Sequence, residues 1–288
     1  MSSIIVTLIG LAFAVASLFL TSVGLAIIFG MMRVINFAHG EFLMLGGYAF
    51  ILSVHAGVNP WVAMLVIAPV SVGLLGVVVE RLIIRRLYGR LVDTILATWG
   101  LSLVLTGIAS VVFGYNQPGI APLLSDFRIG EYSVAGYNIF IIVVAIVLLA
   151  GLFAVFRFTN FGLKLRATMQ NPSMAAAVGL NVNHVYMATF GLGSALAGLA
   201  GAVIAPLTGV QPVMGATYIG KTFITVISGG PLALTGTFFS SSLLGLISEI
   251  TTVFSTPVIG EAALLAVAVV MLRILPAGIT GRYFKRGV

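Results

Sequence analysis

Eight stretches of this chain, at roughly 4–30, 41–56, 60–79, 92–113, 137–156, 184–207, 231–254 and 258–276, are apolar over close to the length a helix needs to cross a bilayer. A ninth, shorter one lies near 218–229. About 20 apolar residues wound as a helix span the hydrocarbon core. Only helices and closed barrels satisfy their own backbone hydrogen bonds there. The pattern predicts an all-α integral membrane protein with about eight long transmembrane helices plus a short or re-entrant one. The gaps leave no room for a soluble domain, so residues 1–288 read as a single transmembrane domain. Only 7% of residues are charged, against about 25% in soluble domains. With no cysteine there is no disulfide framework and no thiolate chemistry. The opening MSSIIVTLIGLAFAVAS has a cleavage-like Ala14-Val15-Ala16. It lacks a basic leader, and the apolar run continues to Phe29, so a retained span is expected.

The net charge of +7 comes from basic residues scattered among loops, which argues against a nucleic-acid face and for the positive-inside bias of membrane loops. Arg81, Arg85, Arg86 and Arg90 are expected in the cytoplasm, as are Arg157, Lys164 and Arg166, and the tail with Arg273, Arg282, Lys285 and Arg286. Asp126, Arg128 and Glu131 fall outside, and counting back puts the N-terminus outside as well. The chain near 207 and near 258 must then lie outside together. The stretch between goes in through the short arm 218–229 and returns through 231–254.

Two interruptions stand out. One is Ser228-Gly229-Gly230-Pro231, and a discontinuous helix is expected near 228–231. The other is Asn36-Phe37-Ala38-His39-Gly40-Glu41. There, either 4–30 is one span and the break is a cytoplasmic turn, or 4–20 is a complete span and 22–35 and 41–56 are halves of a discontinuous one. Non-helical backbone at membrane depth is tolerated only inside protein or beside a wet cavity. Paired interruptions of this kind point to a translocation path. Asn36, His39, Gly40, Glu41, Ser228, Gly229 and Gly230 are therefore the path candidates.

Other motifs carry less. Gly215 to Thr222 fits the phosphate-loop pattern letter for letter, but a working loop needs a preceding strand and an α/β domain. Here it sits between membrane runs, so it reads as chance and no ATP hydrolysis is expected of this chain. His39 beside Glu41 suggests a metal or proton site. Metal needs three or four ligands, and His55 and His184 fall in other loops, so no metal is expected. Both groups more simply satisfy backbone at the break, with Glu41 also favouring the start of the helix it opens. Glu249 reads as interfacial. Thr98, Ser102, Thr106, Ser240, Ser241 and Ser242 back-bond within helices or line a polar path. The run Gly191–Gly201 is small on every face, as in closely packed membrane helices. No Ser/His/Asp set or carboxylate pair argues for an enzyme.

The polar island 157–183 differs from everything around it. Asn171 suits an N-cap, Pro172 a first helical position and Gly179 a C-cap. Between them lie Met174, Ala175, Ala176 and Ala177, about two turns with a bare alanine face. A lipid-surface helix would carry Trp, Phe or Leu there. An alanine face suits insertion into a groove on a soluble partner.

Three blocks, Gly24–Phe50, Phe161–Val182 and the small-residue run into Gly229-Gly230, resemble the membrane permease subunits of ABC importers for branched-chain amino acids, urea and related amides. The third block departs from the family pattern, reading GGPLALTGTFF. The resemblance implies an inner-membrane permease moving a small polar solute by alternating access. The ATPase-coupling segment would carry Gly162, Lys164, Arg166, Asn171, Pro172, Ala175, Ala176 and Gly179. It also implies two ATP-binding subunits that hold the ATP, a second permease, homologous or identical, and a periplasmic or lipid-anchored solute-binding protein. The rival reading is a stand-alone secondary transporter or channel, with Glu41 and His39 coupling an ion.

Overall fold

The computed structural model describes residues 2–114 and 119–284; of the expected cytoplasmic residues, Lys285 and Arg286 lie outside them. In chain order the helices are α1 (Ser2–Met32), α2 (His39–His55), α3 (Pro60–Val62), α4 (Ala68–Leu82) and α5 (Leu91–Phe113), then, after a short hairpin, α6 (Gly136–Phe158), α7 (Asn160–Gln170) and α8 (Pro172–Ala177). The rest are α9 (Val182–Thr208), α10 (Met214–Gly229), α11 (Ala233–Phe254), α12 (Pro257–Ile274) and α13 (Gly278–Phe284). The antiparallel hairpin is β1 (Phe127–Ile129) with β2 (Tyr132–Val134). A π turn at Ala63–Ile67 joins α3 to α4 as one span. Pro69 explains it, because proline lacks an N–H and crowds the carbonyl four residues back.

Seven of these helices are long and apolar enough to cross a membrane: Ile4–Met32, Pro60–Leu82, Leu91–Phe113, Gly136–Phe158, Val182–Thr208, Ala233–Phe254 and Pro257–Gly281. The chain is an all-α, multi-pass membrane protein. The expected eighth run, 41–56, is present as the 17-residue α2, about 26 Å long at 1.5 Å per residue and so slightly shorter than the other spans. The expected short arm is α10, with 16 residues.

The core is built round α9. Its most apolar window is 78% buried, against 11% for α5. Three helices meet its backbone on different sides. A Cβ on Gly201 would overlap the carbonyl of Leu43 in α2. One on Gly193 would meet Ile28 and Gly24 of α1, and one on Gly198 would meet Val72 and Ala68 of α4. The small-residue run is thus used for packing inside this chain. In lipid, close backbone approach supplies the dispersion that a hydrophobic drive cannot.

The helix ends sort onto two faces. Arg33 closes α1, and Met32, Arg33, Arg90 and Pro172 surround one cleft, which places the end of α1 and the starts of α5 and α8 on one arginine-rich face. On the other face Ser2 touches Gly130 of the hairpin.

Filling the α9 seam tests this packing. Gly198→Val is expected to cost about 1–3 kcal/mol by overpacking and to lower the melting temperature in detergent. Gly100→Val, with nothing within 4 Å of its added Cβ, is expected to leave that temperature close to wild type.

Candidate functional site

The break after α1 runs back into the protein. Arg33, the only non-glycine with a positive φ among the described residues (54°), turns the chain. Six residues later the His39 ring meets α1 again, its Nε2 donating to the carbonyl of Thr21 at 2.9 Å. Thr21 is eleven residues before the end of α1, or about 16 Å along the axis at 1.5 Å per residue. A short irregular chain covers that distance readily at about 3.3 Å per residue. Neither placement expected from the sequence holds whole. Residues 4–30 form one continuous helix, as in the first, and Asn36–Glu41 lies inside the bundle, as in the second. The separate half-span at 22–35 does not exist, because nothing polar interrupts Thr21–Met32 strongly enough to end a helix.

The non-helical backbone of this segment finds partners on α5 and within itself. Phe37 N–H donates to Thr98 Oγ1 at 3.2 Å, and Thr98 Oγ1 donates to the carbonyl of Ile35 at 3.2 Å. The Asn36 side chain accepts from Ala38 N–H at 3.1 Å and so shapes the turn into α2. Higher on α5, Thr106 donates to Glu41 at 3.5 Å and Ser102 also faces that carboxylate. The α5 residues Thr94, Thr98, Ser102, Thr106 and Ser110 recur every fourth position, which puts them on one face of the helix. That hydroxyl stripe is the sequence signal that would have paired α5 with the break.

Gly40 lies on Gly215, the second residue of α10, so closely that a Cβ on either would overlap the other's backbone. Glu41 Oε1 sits 2.6 Å from where a Gly215 Cβ would be. Its carboxylate therefore covers the first turns of both α2 and α10, whose N-termini carry partial positive charge. Phe37 stacks on Phe223 of α10 at 5.7 Å. Asn36, His39 and Glu41 are almost fully buried. Each retains a polar atom without a hydrogen-bond partner: Asn36 Nδ2, His39 Nδ1 and Glu41 Oε2. Thr222, beside Phe223, does too. Leaving such atoms unpaired costs about 1–3 kcal/mol each, and clusters of them inside a membrane domain mark functional positions. Because the Thr21 carbonyl can only accept, His39 carries its proton on Nε2 and presents Nδ1 as an acceptor.

The other half of the expected set is elsewhere. Ser228, Gly229 and Gly230 make the tight turn between α10 and α11, with Gly229 packed on Gly236 and its carbonyl bonded by Thr280 Oγ1 at 2.7 Å. Gly230 needs its positive φ of 85° there. This turn lies fourteen residues, about 21 Å of helix, beyond Gly215. The break expected at 228–231 is present, as the capped turn at which α10 ends and α11 returns antiparallel to it, covered by α13; it does not lie beside Asn36–Glu41. The second interruption is instead Gly209–Val213, between α9 and α10, where Val210 packs against Gly47. Gly209, at φ 68°, and Pro212 were its signal. The phosphate-loop look-alike 215–222 is wholly helical, within α10.

On the arginine-rich face, α8 forms as its caps predict. Asn171 Oδ1 accepts from Met174 N–H at 2.9 Å. At the other end Gly179 (φ 88°) donates to Ala176, and Leu180 N–H donates to Ala175, the paired closure that glycine permits. Ala175 turns inward at 4% exposure, while Met174 and Val178 are 62% and 71% exposed. The presented face is therefore Pro172, Met174, Ala176, Ala177 and Val178, richer than alanine alone. Lys164 is exposed. Gly162 is buried against the backbone of Phe156, to whose carbonyl Arg166 also donates. Pro172 shares a cleft of about 520 Å³ with Arg33, Val34, Tyr88 and Tyr186. One wall of it is fixed by buried Glu80, which accepts from Arg85 at 2.9 Å and from Tyr88. Burial and then the Glu80 carboxylate hold the Tyr88 phenol above its ordinary pKa, and the bond to Glu80 raises that of Arg85.

A multi-pass helical domain with two interruptions whose following helices abut, and a capped helix on the basic face, is the architecture of a membrane permease. The family model described as branched-chain amino acid transport system / permease component matches residues 7–275, and the chain belongs to that family. It is 28% identical to a probable branched-chain amino acid transport permease protein LivH of Methanocaldococcus jannaschii, over 93% of this chain and 90% of that one. It is 30% identical to the high-affinity branched-chain amino acid transport system permease protein BraD of Pseudomonas aeruginosa, over 91% of each. The Escherichia coli LivH permease protein is 26% identical over 91% of each. Among solved structures, PsaBC from Streptococcus pneumoniae in complex with Fab shares the fold, with a TM-score of 0.50 at 15% identity over 98% of this chain and 95% of that one.

Thr98→Val keeps the shape of the side chain and strands Phe37 N–H. It is expected to cost about 1–3 kcal/mol, read as a lower melting temperature, with Thr106→Val costing less because its bond to Glu41 is longer.

Proposed function

We propose that this chain is the permease subunit of an ABC importer in the cytoplasmic (inner) membrane. It would carry branched-chain or similar small polar amino acids, with urea and short amides as the alternative cargo of the same architecture. Residues 1–288 act as one translocation domain, and 157–183 couple it to a partner. The arginine-rich face is cytoplasmic. Two ATP-binding subunits hold and hydrolyse the ATP, a second permease, identical or homologous, completes the path, and a periplasmic or lipid-anchored binding protein delivers solute.

The observation that carries this reading is the position of α8. A short, doubly capped helix presents Met174, Ala176, Ala177 and Val178 to the cytoplasm, and its first residue lines the cleft that also holds Arg33. Arg33 is the turn from which the buried break departs, and a non-glycine residue at positive φ is a strained point. Pressure on α8 reaches Arg33 and Val34 first, and through them Asn36, His39 and Glu41. Because α2 and α10 abut through Gly40 and Gly215 without intervening side chains, they shift as a pair. Alternating access follows when that pair rocks against α9, exposing the unpaired polar atoms of the break to one side and then the other. ATP-driven closure of the partner subunits supplies the free-energy difference between the two states.

Ala176→Arg places a bulky charge on the presented face without touching the caps. The variant is expected to insert and melt as wild type, while ATP-dependent leucine uptake by the assembled importer falls by about thirty- to a thousandfold, the scale of a disrupted interface hot spot costing about 2–4 kcal/mol. Unchanged uptake would remove α8 from the coupling path. Solute flux through this chain alone, driven by an ion gradient in liposomes, would favour the stand-alone transporter.

A further inference from the structure

A second cavity, of about 260 Å³, lies between α1, α9, α10, α11 and α12. It touches the broken segment only through Thr21, whose carbonyl holds His39. Leu18, Leu207 and Leu264 give it apolar walls; Tyr218, Lys221 and Ser248 give it polar ones. Its volume is roughly that of nine waters at ~30 Å³ each, and a leucine-sized solute has a similar number of heavy atoms.

Lys221 sets this cavity apart. Among the described residues, every other lysine and arginine outside the β-hairpin lies at the end of a long helix, in a connection between helices, or in the short helices α7 and α13. Lys221 is carried in the middle of α10 and pairs with Glu261 in the first turns of α12. Both side chains remain partly open, at 30% and 43% exposure. Helix α10 does not need the pair as an anchor. It is already fixed to α11 by Ser240 Oγ donating to the carbonyl of Thr225 at 2.7 Å and by the Gly229–Gly236 contact. Lys221 lines this apolar cavity and Glu261 stands just outside its wall, within reach through the Lys221 pair; a cation and an anion so placed suit a ligand that brings both charges itself. A zwitterion exchanges one internal ion pair for two external ones and leaves no charge unpaired, which is the condition for burying ions without a large penalty. A neutral amide would have to separate Lys221 from Glu261 and replace neither.

We propose that this cavity binds the zwitterion of an α-amino acid with an aliphatic side chain, its carboxylate on Lys221 Nζ, its ammonium on Glu261 and its side chain against Leu18, Leu207 and Leu264. The inference rests on the amino-acid reading above and gives that solute a site within the permease itself, apart from the broken segment.

The absence of cysteine allows a direct test. Ser248→Cys puts a single thiol on the cavity wall, and Ser17→Cys puts one on the facing helix as a second reporter. In membranes holding the full chain, the rate of modification by a small charged methanethiosulfonate is measured with and without L-leucine. Protection scales as 1 + [L]/Kd, so about tenfold slowing is expected at ten times Kd. Urea, isovalerate or isopentylamine should not protect. Adding Lys221→Gln or Glu261→Gln should abolish protection while modification continues. Equal rates with and without leucine at both reporters would overturn the site, and protection by urea as strong as by leucine would overturn the zwitterion. If the assembled importer still takes up leucine, only the site falls. If it takes up no amino acid, the amino-acid reading falls as well.

Discussion

The rest of this molecule depends on the contact of Gly40 with Gly215. Two helix N-termini, those of α2 and α10, abut in the interior with no side chain between them. Helix N-termini repel one another because their unpaired N–H groups carry partial positive charge. The Glu41 carboxyl group, lying over the first turns of both, turns its acceptor oxygens toward them. The carboxylate is in turn held by hydroxyls of α5. The same few atoms therefore settle where α2 begins, where α10 begins and which face of α5 turns inward. A carboxyl group this deep in a membrane domain is costly to charge, and two helix N-termini beside it reduce that cost.

Around that point the architecture follows from what lipid cannot supply. Bilayer tails are as apolar as leucine, so helices gain little by burying leucine against each other. Helix α9 instead brings α1, α2 and α4 to backbone contact through Gly193, Gly201 and Gly198. The large apolar side chains of α5, α6 and α12 are left outward, among them Trp99, Val147 and Val269. Large side chains such as Phe42, Phe50, Tyr137 and Phe190 are buried as well, but they fill the spaces beside seams that the glycines set.

The proposed coupling rests on how the arginine-rich face is tied to this centre. The cleft shared by Pro172 and Arg33 joins the exposed α8 to the one strained backbone turn of the described residues. The Glu80–Arg85–Tyr88 cluster stiffens the cleft's far wall. In the coupling proposed above, a rigid wall beside a strained turn would pass a push on as rotation of that turn.

Much of this was legible in the order of the residues. The apolar runs gave the spans, because crossing a bilayer is a matter of length and composition. Asn171, Pro172 and Gly179 gave α8, because caps act within one or two turns. The buried break at Asn36–Glu41 was visible as a polar interruption. The interruption at Gly209–Val213 was not, since a single Gly and Pro after an apolar run look the same in a turn at the surface. Gly229-Gly230 was legible as the turn where the chain goes in and comes back; that this turn lies away from Asn36–Glu41 was not. Lys221 was hidden within a misleading motif. Local sequence thus determined which segments are helical, how long they are and where they end. Only the tertiary structure decided that α2 and α10 share one carboxylate, that Arg33 adjoins α8 and that Lys221 meets Glu261. Those pairings join residues far apart in the chain, and they arise from how closely glycine backbones let separate helices approach.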